Sequence, residues 1–122
     1  MLSIVEQPTR GCAEVWQFDV YEDITGRYRW RLFAGNGRRA ATASESFRAS
    51  SEAHAAAARF KSHAGNGYHF QTYVDAGDNF RWRAKAANGQ IVAASGEPYF
   101  SQRVAEAAAQ NVKAHAGGAE LL

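Results

Sequence analysis

Tyr28-Arg29-Trp30-Arg31 and, later in the chain, Phe80-Arg81-Trp82-Arg83 carry the pattern that decides the fold. Each stretch is followed by an Asn-Gly pair, at Asn36-Gly37 and at Asn88-Gly89. The correspondence runs without a gap from Phe18 and Phe70 to Phe47 and Tyr99. A repeat of this period indicates that one supersecondary unit has been duplicated, so both halves should adopt the same arrangement.

Within each repeat, apolar and polar residues alternate in the manner of β-strands. Trp16, Phe18 and Val20 fall on one side of the first segment, with polar residues between them. An Asn-Gly pair is the strongest short hairpin signal, because both residues tolerate positive φ. Period-2 alternation between such turns predicts strands over 14–20, 28–34, 39–43, 68–74, 80–86 and 90–95.

A helix should close each repeat. Ser50 or Ser51 can accept the free amides of a helix start, and the segment 53–63 contains no Gly or Pro. Its predicted inward stripe consists of Ala53, Ala56, Ala57 and Phe60. In the second repeat, Ser101 should cap a helix that ends near Ala116, with a buried stripe at Val104, Ala108 and Val112. Gly117-Gly118 then leaves 119–122 for a short final strand.

These elements predict an α+β domain built from two tandem β-β-β-α repeats. We expect pseudo-twofold symmetry, with a single antiparallel sheet and two helices on one face. Residues 1–13 are expected to be a flexible leader, and 14–122 one domain composed of repeats 14–64 and 68–122. Each repeat is marginal on its own at roughly 50 residues, so a shared core is favoured.

Composition excludes several protein classes. The chain has 122 residues, 46% of them hydrophobic, which favours a packed globule over disorder. Cys12 is the single cysteine, so no internal disulfide can form. No apolar run approaches the ~18 residues of a membrane helix, and no signal-peptide core is present. These features predict a cytoplasmic protein that does not interact with membranes. The net charge of +2 neither requires nor excludes a polyanionic partner.

The parity of the strands gives the main candidate site. If Trp30 and Trp82 face the helices, the arginines beside them must face the opposite, open side of the sheet. Tyr21 and Tyr73 share that side. The predicted binding residues are therefore Arg29, Arg31, Arg81, Arg83, Tyr21 and Tyr73. A basic sheet face with interleaved aromatics is typical of surfaces that bind single-stranded nucleic acid or another polyanion.

Two structural alternatives remain open for these arginines. They can be a solvated face that is ion-paired with Asp19, Glu22 or Glu97, or they can cover apolar surface with their methylene stems. Trp30 and Trp82 are expected to be core residues and not ligand-stacking residues.

The repeated aromatic-Arg-Trp-Arg segment, the Asn-Gly turns and Lys61 and Lys113 near the helix ends resemble the YegP-like family of small tandem-repeat proteins. The second repeat matches more fully, with Ser95-Gly96-Glu97-Pro98-Tyr99 before its helix. Helix residues Ala108-Ala109-Gln110-Asn111 depart from the usual family pattern. The resemblance implies a β3-α-β unit, used twice or as a homodimer, with exchanged terminal strands. It implies no activity, because the family is uncharacterised.

Catalytic and metal chemistry find little support in the sequence. The four histidines, His54, His63, His69 and His115, have no cysteine or carboxylate at metal-ligand spacing. Glu45 and Glu97 recur in both repeats and read as loop residues, although Glu97 could be half of an acid–base pair. An enzyme would additionally need a concave pocket around Glu97 or a histidine. We therefore predict no metal, no cofactor and a non-enzymatic binding module.

A protein-interaction module is the alternative. The terminal strands 14–20 and 119–122 are candidate sheet edges, and an edge with unpaired amides can accept another chain. The partner would be another protein or a second copy in a weak homodimer.

Overall fold

The computed structural model describes residues 15–121. In chain order, they form β1 (Gln17–Glu22), β2 (Tyr28–Phe33), β3 (Arg39–Ala43), α1 (Ser50–His63), β4 (His69–Val74), β5 (Phe80–Lys85), β6 (Ile91–Ser95) and α2 (Gln102–His115), followed by a 3₁₀ turn at Ala116–Gly118. The strands make one open antiparallel sheet in the order β1-β2-β3-β6-β5-β4. The fold is therefore α+β, as expected. Residues 1–13, which were expected to form a flexible leader and which include Cys12, lie outside the described residues.

The first strand lies further along the chain than the alternation predicted. Its position is set by the hairpin turn, where the amide of Asp23 donates to the carbonyl oxygen of Arg27 at 2.7 Å. This turn places Glu22 opposite Tyr28, and the antiparallel pairing continues from there to Gln17 opposite Phe33. Alternation defines the face of a strand, but the turn defines its register.

Within the described residues, the expected final strand 119–122 is reduced to a single parallel bridge between Glu120 and Gln17. The amide of Phe18 donates to the carbonyl oxygen of Glu120, and the amide of Glu120 donates to that of Trp16, each at 2.8 Å. The end of the described chain thus lies against the start of β1.

The core lies between the sheet and both helices. Trp30 and Trp82 are 1% and 0% exposed, and they occupy the core face as predicted. Phe60 of α1 packs against Trp30 with ring centroids 4.9 Å apart. The predicted α1 stripe is confirmed, since Ala53, Ala56, Ala57 and Phe60 are all buried. Small alanines let the helix backbone approach the sheet closely.

Two helix predictions differ from the structure. Of the predicted α2 stripe, Val112 is buried and Ala108 is partly buried against the core, but Val104 is 37% exposed, and the other buried residues are Ala105 and Ala109. Both helices therefore pack on the sheet through alanines and one larger side chain, Phe60 in α1 and Val112 in α2. In α1, the residue at the N-cap is Ala49, which has no side-chain acceptor, and Ser50 is already helical. The cap at Ser101 is confirmed, because its hydroxyl oxygen accepts from the amide of Val104 at 3.2 Å.

Candidate functional site

The strand registers place all six predicted binding residues on one side of the sheet. Residues directly opposite each other in antiparallel strands point to the same face. The observed pairs are Asp19 with Arg31, Tyr21 with Arg29, Gln71 with Arg83, and Tyr73 with Arg81. Trp30 and Trp82 lie on the other, helix-covered face. We call the surface formed by the four arginines and the two tyrosines the arginine face.

Three of the four arginines are paired with carboxylates. Arg29 donates to Asp23 at 3.2 Å, Arg31 to Asp19 at 2.9 Å, and Arg81 to Asp75 at 2.6 Å. Of the acceptors that the sequence suggested, Asp19 is correct, but Glu22 and Glu97 form no ion pair with these four arginines. The guanidinium-bearing side chains keep about a third of their surface exposed, at 35%, 30% and 33%. They are neither buried nor fully free.

Asp23 and Asp75 owe their role to the hairpin turns. Oδ1 of Asp23 accepts from the amides of Thr25 and Arg27, which leaves Oδ2 for the arginine. Asp75 does the same with the amides of Gly77 and Asn79. Sequence reasoning missed both, although Asp23 directly follows β1 and Asp75 directly follows β4.

The hydrogen bonds to these aspartates stabilise their ionised forms. They lower the pKa of Asp23 to about 2, chiefly through the hydroxyl of Thr25, with the amides and Arg29 adding to the effect. The hydrogen bond from Arg81, together with the amides, lowers the pKa of Asp75. Both groups are therefore anionic at neutral pH and hold their arginines in place.

Arg83 differs from the other three. Its Nε donates to the amide oxygen of Gln71 at 3.3 Å, so its partner is neutral. Arg31, in contrast, donates to the carboxylate of Asp19, which lies 52 positions before Gln71. Lys85, which the sequence analysis did not single out, lies opposite His69 on the same face. The arginine face is thus close to neutral in its first half and positive in its second half.

Two of the arginines, Arg31 and Arg83, pack on the rings of Tyr21 and Tyr73. The guanidinium carbon of Arg31 lies 4.2 Å from the ring centroid of Tyr21, and that of Arg83 lies 4.6 Å from that of Tyr73. Such cation–π contacts position a guanidinium without neutralising it. One ring face of each tyrosine is therefore covered by a guanidinium group.

Glu45 and Glu97 lie away from the arginine face. Glu97 binds Arg38, with Nε 3.1 Å from Oε2, and Glu45 accepts a hydrogen bond from Gln90. The bond from Arg38 lowers the pKa of Glu97, which is therefore ionised at neutral pH and poorly suited to act as a general acid.

The histidines that end the two helices interact with backbone. Nδ1 of His63 lies 2.9 Å from the carbonyl oxygen of Arg59, and Nδ1 of His115 lies 2.8 Å from that of Asn111. Within residues 15–121, no group of three or more His, Cys, Asp or Glu side chains is arranged to hold a metal ion.

Comparison with known proteins places the chain in a family. It is 30% identical over 105 residues to the UPF0339 protein encoded in the 5′ region of the ptx operon of Stutzerimonas stutzeri, covering 86% of this chain and 93% of that protein. The chain belongs to the UPF0339 family. The profile of the domain of unknown function DUF1508 matches residues 75–122. The expected YegP-like relationship is confirmed.

Solved structures of family members share the fold. YegP of Escherichia coli, a protein of unknown function, superposes with a TM-score of 0.68 at 25% identity, covering 84% of this chain and 86% of that one. The UPF0339 protein SO3888 of Shewanella oneidensis gives a TM-score of 0.70 at 20% identity, covering 84% and 85%. No helix in the described part of this UPF0339 chain is long and apolar enough to cross a bilayer.

Proposed function

We propose that this UPF0339 protein is a non-enzymatic binding module whose arginine face binds an anionic polymer, with single-stranded nucleic acid as the favoured class. The observation that carries the proposal is the row of four arginines on one open sheet face, with uncompensated positive charge in its second half. Arg83 has a neutral partner, and Lys85 lies on the neighbouring part of the same face.

The proposal includes a tandem arrangement of two β-β-β-α units with pseudo-twofold symmetry. The ladder of β1 with β2 and that of β4 with β5 have matching registers 52 positions apart. Contacts between the halves are reciprocal as well: Arg38 of the first half binds Glu97 of the second, and Gln90 of the second binds Glu45 of the first. Such an arrangement presents two similar arginine pairs on one continuous surface.

The cations of the arginine face differ in whether a carboxylate already binds them. Arg29, Arg31 and Arg81 can contact phosphates only in competition with their aspartates, whereas Arg83 and Lys85 face no such competition within the described chain. Phosphate contacts and base stacking together support sequence-tolerant binding of single strands. In this proposal, bases stack on the guanidinium groups of Arg31 and Arg83, which are themselves packed on the rings of Tyr21 and Tyr73.

Salt dependence tests the proposal directly. Fluorescence anisotropy of a labelled single-stranded oligonucleotide should be followed at about 50 and about 200 mM salt. Two cations that release counterions give a log–log slope near −1.4, which is roughly a sevenfold loss of affinity, whereas four give about −2.8 and roughly 50-fold. We expect the first value, since three arginines are already paired.

Variants locate the surface. Arg83→Gln should weaken binding, while Arg103→Gln on the exposed side of α2 makes the same change in net charge and should leave binding unaltered. Equal effects of the two variants, or no binding at low salt, would refute the arginine face as the site.

A second candidate function is protein interaction through a sheet edge. β4 is an edge strand. The backbone hydrogen bonds to β5 are made by its odd-numbered residues, in phase with the bond from the amide of Asp75 to the carbonyl oxygen of Asn79 at 2.8 Å. The backbone groups of Phe70, Thr72 and Val74 therefore point outward, where they can pair with another strand. The other edge, β1, is partly occupied by Glu120.

Sedimentation equilibrium tests the edge. A concentration-dependent dimer that is abolished by Val74→Lys would support edge pairing, because an edge lysine disfavours strand addition. Ile24→Lys is the control, since Ile24 is an exposed apolar residue in the β1–β2 turn. A monomer at all concentrations would remove the homodimer version of this candidate.

A further inference from the structure

Two clefts on the helix-covered side of the sheet lie at equivalent places in the two repeats. The Glu45 cleft has a volume of about 300 Å³, and the Glu97 cleft has a volume of about 560 Å³. Eight of the ten residues that line the Glu45 cleft have counterparts 52 positions away that line the Glu97 cleft. Residues from both halves of the chain line each cleft. The pairing of β3 with β6, which joins the halves, therefore also forms the clefts.

The two clefts differ in their chemistry. Phe100 and Val104 line the Glu97 cleft. The corresponding positions of the first repeat are occupied by the charged residues Arg48 and Glu52. Phe100 is 87% exposed and Val104 is 37% exposed. Exposed apolar side chains that border a concave surface mark binding sites more often than isolated ones do. The apolar wall therefore belongs to one cleft and not to the fold in general.

Charge also separates the clefts. Arg38, Arg39 and Glu97 line the Glu97 cleft, which gives it one excess positive charge, whereas Arg59 and Glu45 balance each other in the other cleft. Arg38 is engaged by Glu97, and Arg39 is exposed with no carboxylate bonded to it in the described chain. At the position corresponding to Arg39, the second repeat has Ile91.

Aromatic and amide groups complete the Glu97 cleft. Trp16, stacked on His115 with centroids 4.7 Å apart, forms part of its wall. Asn36 and Asn111 supply neutral hydrogen-bonding groups. Its volume lies within the range of small-molecule sites, which combine an apolar lining with a few polar groups that fix orientation.

We propose that the Glu97 cleft is a binding site for a small aromatic carboxylate, whose ring packs against Phe100 and Val104 and whose carboxylate is bound by Arg39. This site is separate from the arginine face, and its occupancy does not depend on the function proposed for that face.

An NMR titration with 2-naphthoate, with 2-naphthamide as the uncharged analogue of the same shape, tests this site. We expect naphthoate to shift the indole N–H resonance of Trp16, which is partly exposed, and to leave those of the buried Trp30 and Trp82 nearly unchanged. Naphthamide should bind at least fivefold more weakly, because it lacks the charge that Arg39 recognises.

Three variants complete the test. Arg39→Gln should weaken naphthoate at least fivefold with little effect on naphthamide, and Phe100→Ala should weaken both. Arg48→Ala, at the position equivalent to Phe100, makes the same change in net charge as Arg39→Gln and should have no effect. Absence of binding at millimolar naphthoate, equal affinity for the two compounds, or equal losses in the Arg39 and Arg48 variants would each overturn the proposal.

Discussion

The guanidinium of Arg38 is hydrogen-bonded to the carboxylate of Glu97, which lies 59 positions further along the chain. The bond joins the turn between β2 and β3 to the loop that follows β6, across the central β3–β6 pair of the sheet. At the equivalent place in the other half, Gln90 donates to Glu45. These two contacts exchange partners between the halves, and the one between Arg38 and Glu97 is an ion pair, whereas that between Gln90 and Glu45 is not.

Exchanging the acceptors of Arg31 and Arg83, which are Asp19 and Gln71, should shift the excess positive charge from the second half of the arginine face to the first. Gln71→Asp gives Arg83 the carboxylate that Arg31 already has, so affinity for a single-stranded oligonucleotide should fall roughly two- to fivefold, the range of one exposed ion pair. Asp19→Gln should raise affinity by a similar factor. Anisotropy at about 50 mM salt measures both. Changes in the same direction for the two variants would contradict this account.

Removing the hydroxyl of Ser95 should stabilise the fold. Ser95 is 4% exposed, and its Oγ has no hydrogen-bond partner in the described chain. An unsatisfied buried hydroxyl costs about 1–3 kcal/mol, so Ser95→Ala should raise the free energy of unfolding by about 1 kcal/mol. Ala43 lies 52 positions before Ser95, at the end of β3, and Ala43→Ser should lower the free energy of unfolding. Urea midpoints at constant m-value give both numbers; destabilisation by Ser95→Ala would show that the hydroxyl is satisfied.

Gly96 allows two strands to approach closely, and its replacement should be destabilising. A Cβ at this position would lie 2.3 Å from the carbonyl oxygen of Arg39, which is backbone and cannot move aside cheaply. Gly96→Ala should therefore cost about 1–3 kcal/mol, as overpacking usually does. Gly118→Ala, where no atom lies within 4 Å of the added Cβ, is the control in the same thermal or urea unfolding experiment. Equal stability of the two variants would show that β3 shifts freely.

Acid should weaken the fold through Asp23 and Asp75. Their folded-state pKa values are lowered, that of Asp23 to about 2 from 3.8, so the unfolded chain binds more protons in this interval. Their stabilising contribution is present above about pH 4 and is lost as the pH falls towards 2. Urea unfolding from pH 6 to pH 2 should show this decline, and Asp23→Asn should make it shallower. Asp78→Asn, in the turn after Asp75, is the control; an equal change there would argue against the hydrogen-bonded aspartates as the source.

Much of the candidate site was predictable because it depends on local periodicity. Side chains alternate along a strand, so placing Trp30 in the core fixes Arg29 and Arg31 on the open face. The same argument applies to Trp82 with Arg81 and Arg83, and the structure agrees in each case. The net charge of the face was not predictable in this way, because it depends on which acceptor lies across the ladder.

The helices show where sequence reasoning stopped. In α1, the large Phe60 marked the buried stripe correctly, but in α2, Val104 pointed to the wrong face. Alanine is compatible with either side of a helix, and only contact with the sheet selects Ala105 and Ala109 for burial. Helix orientation is a packing property, so a stripe of small residues does not define it alone.

The sequence by itself determined the element types, the Asn-Gly hairpins, the two core tryptophans and the side of the sheet on which the arginines lie, since all of these follow from backbone geometry over a few residues. The tertiary structure decided how distant residues meet: β3 beside β6, Glu120 against β1, Arg38 with Glu97, and a cleft between the halves. These relationships depend on how the two halves pack around one core, and no local pattern encodes that packing.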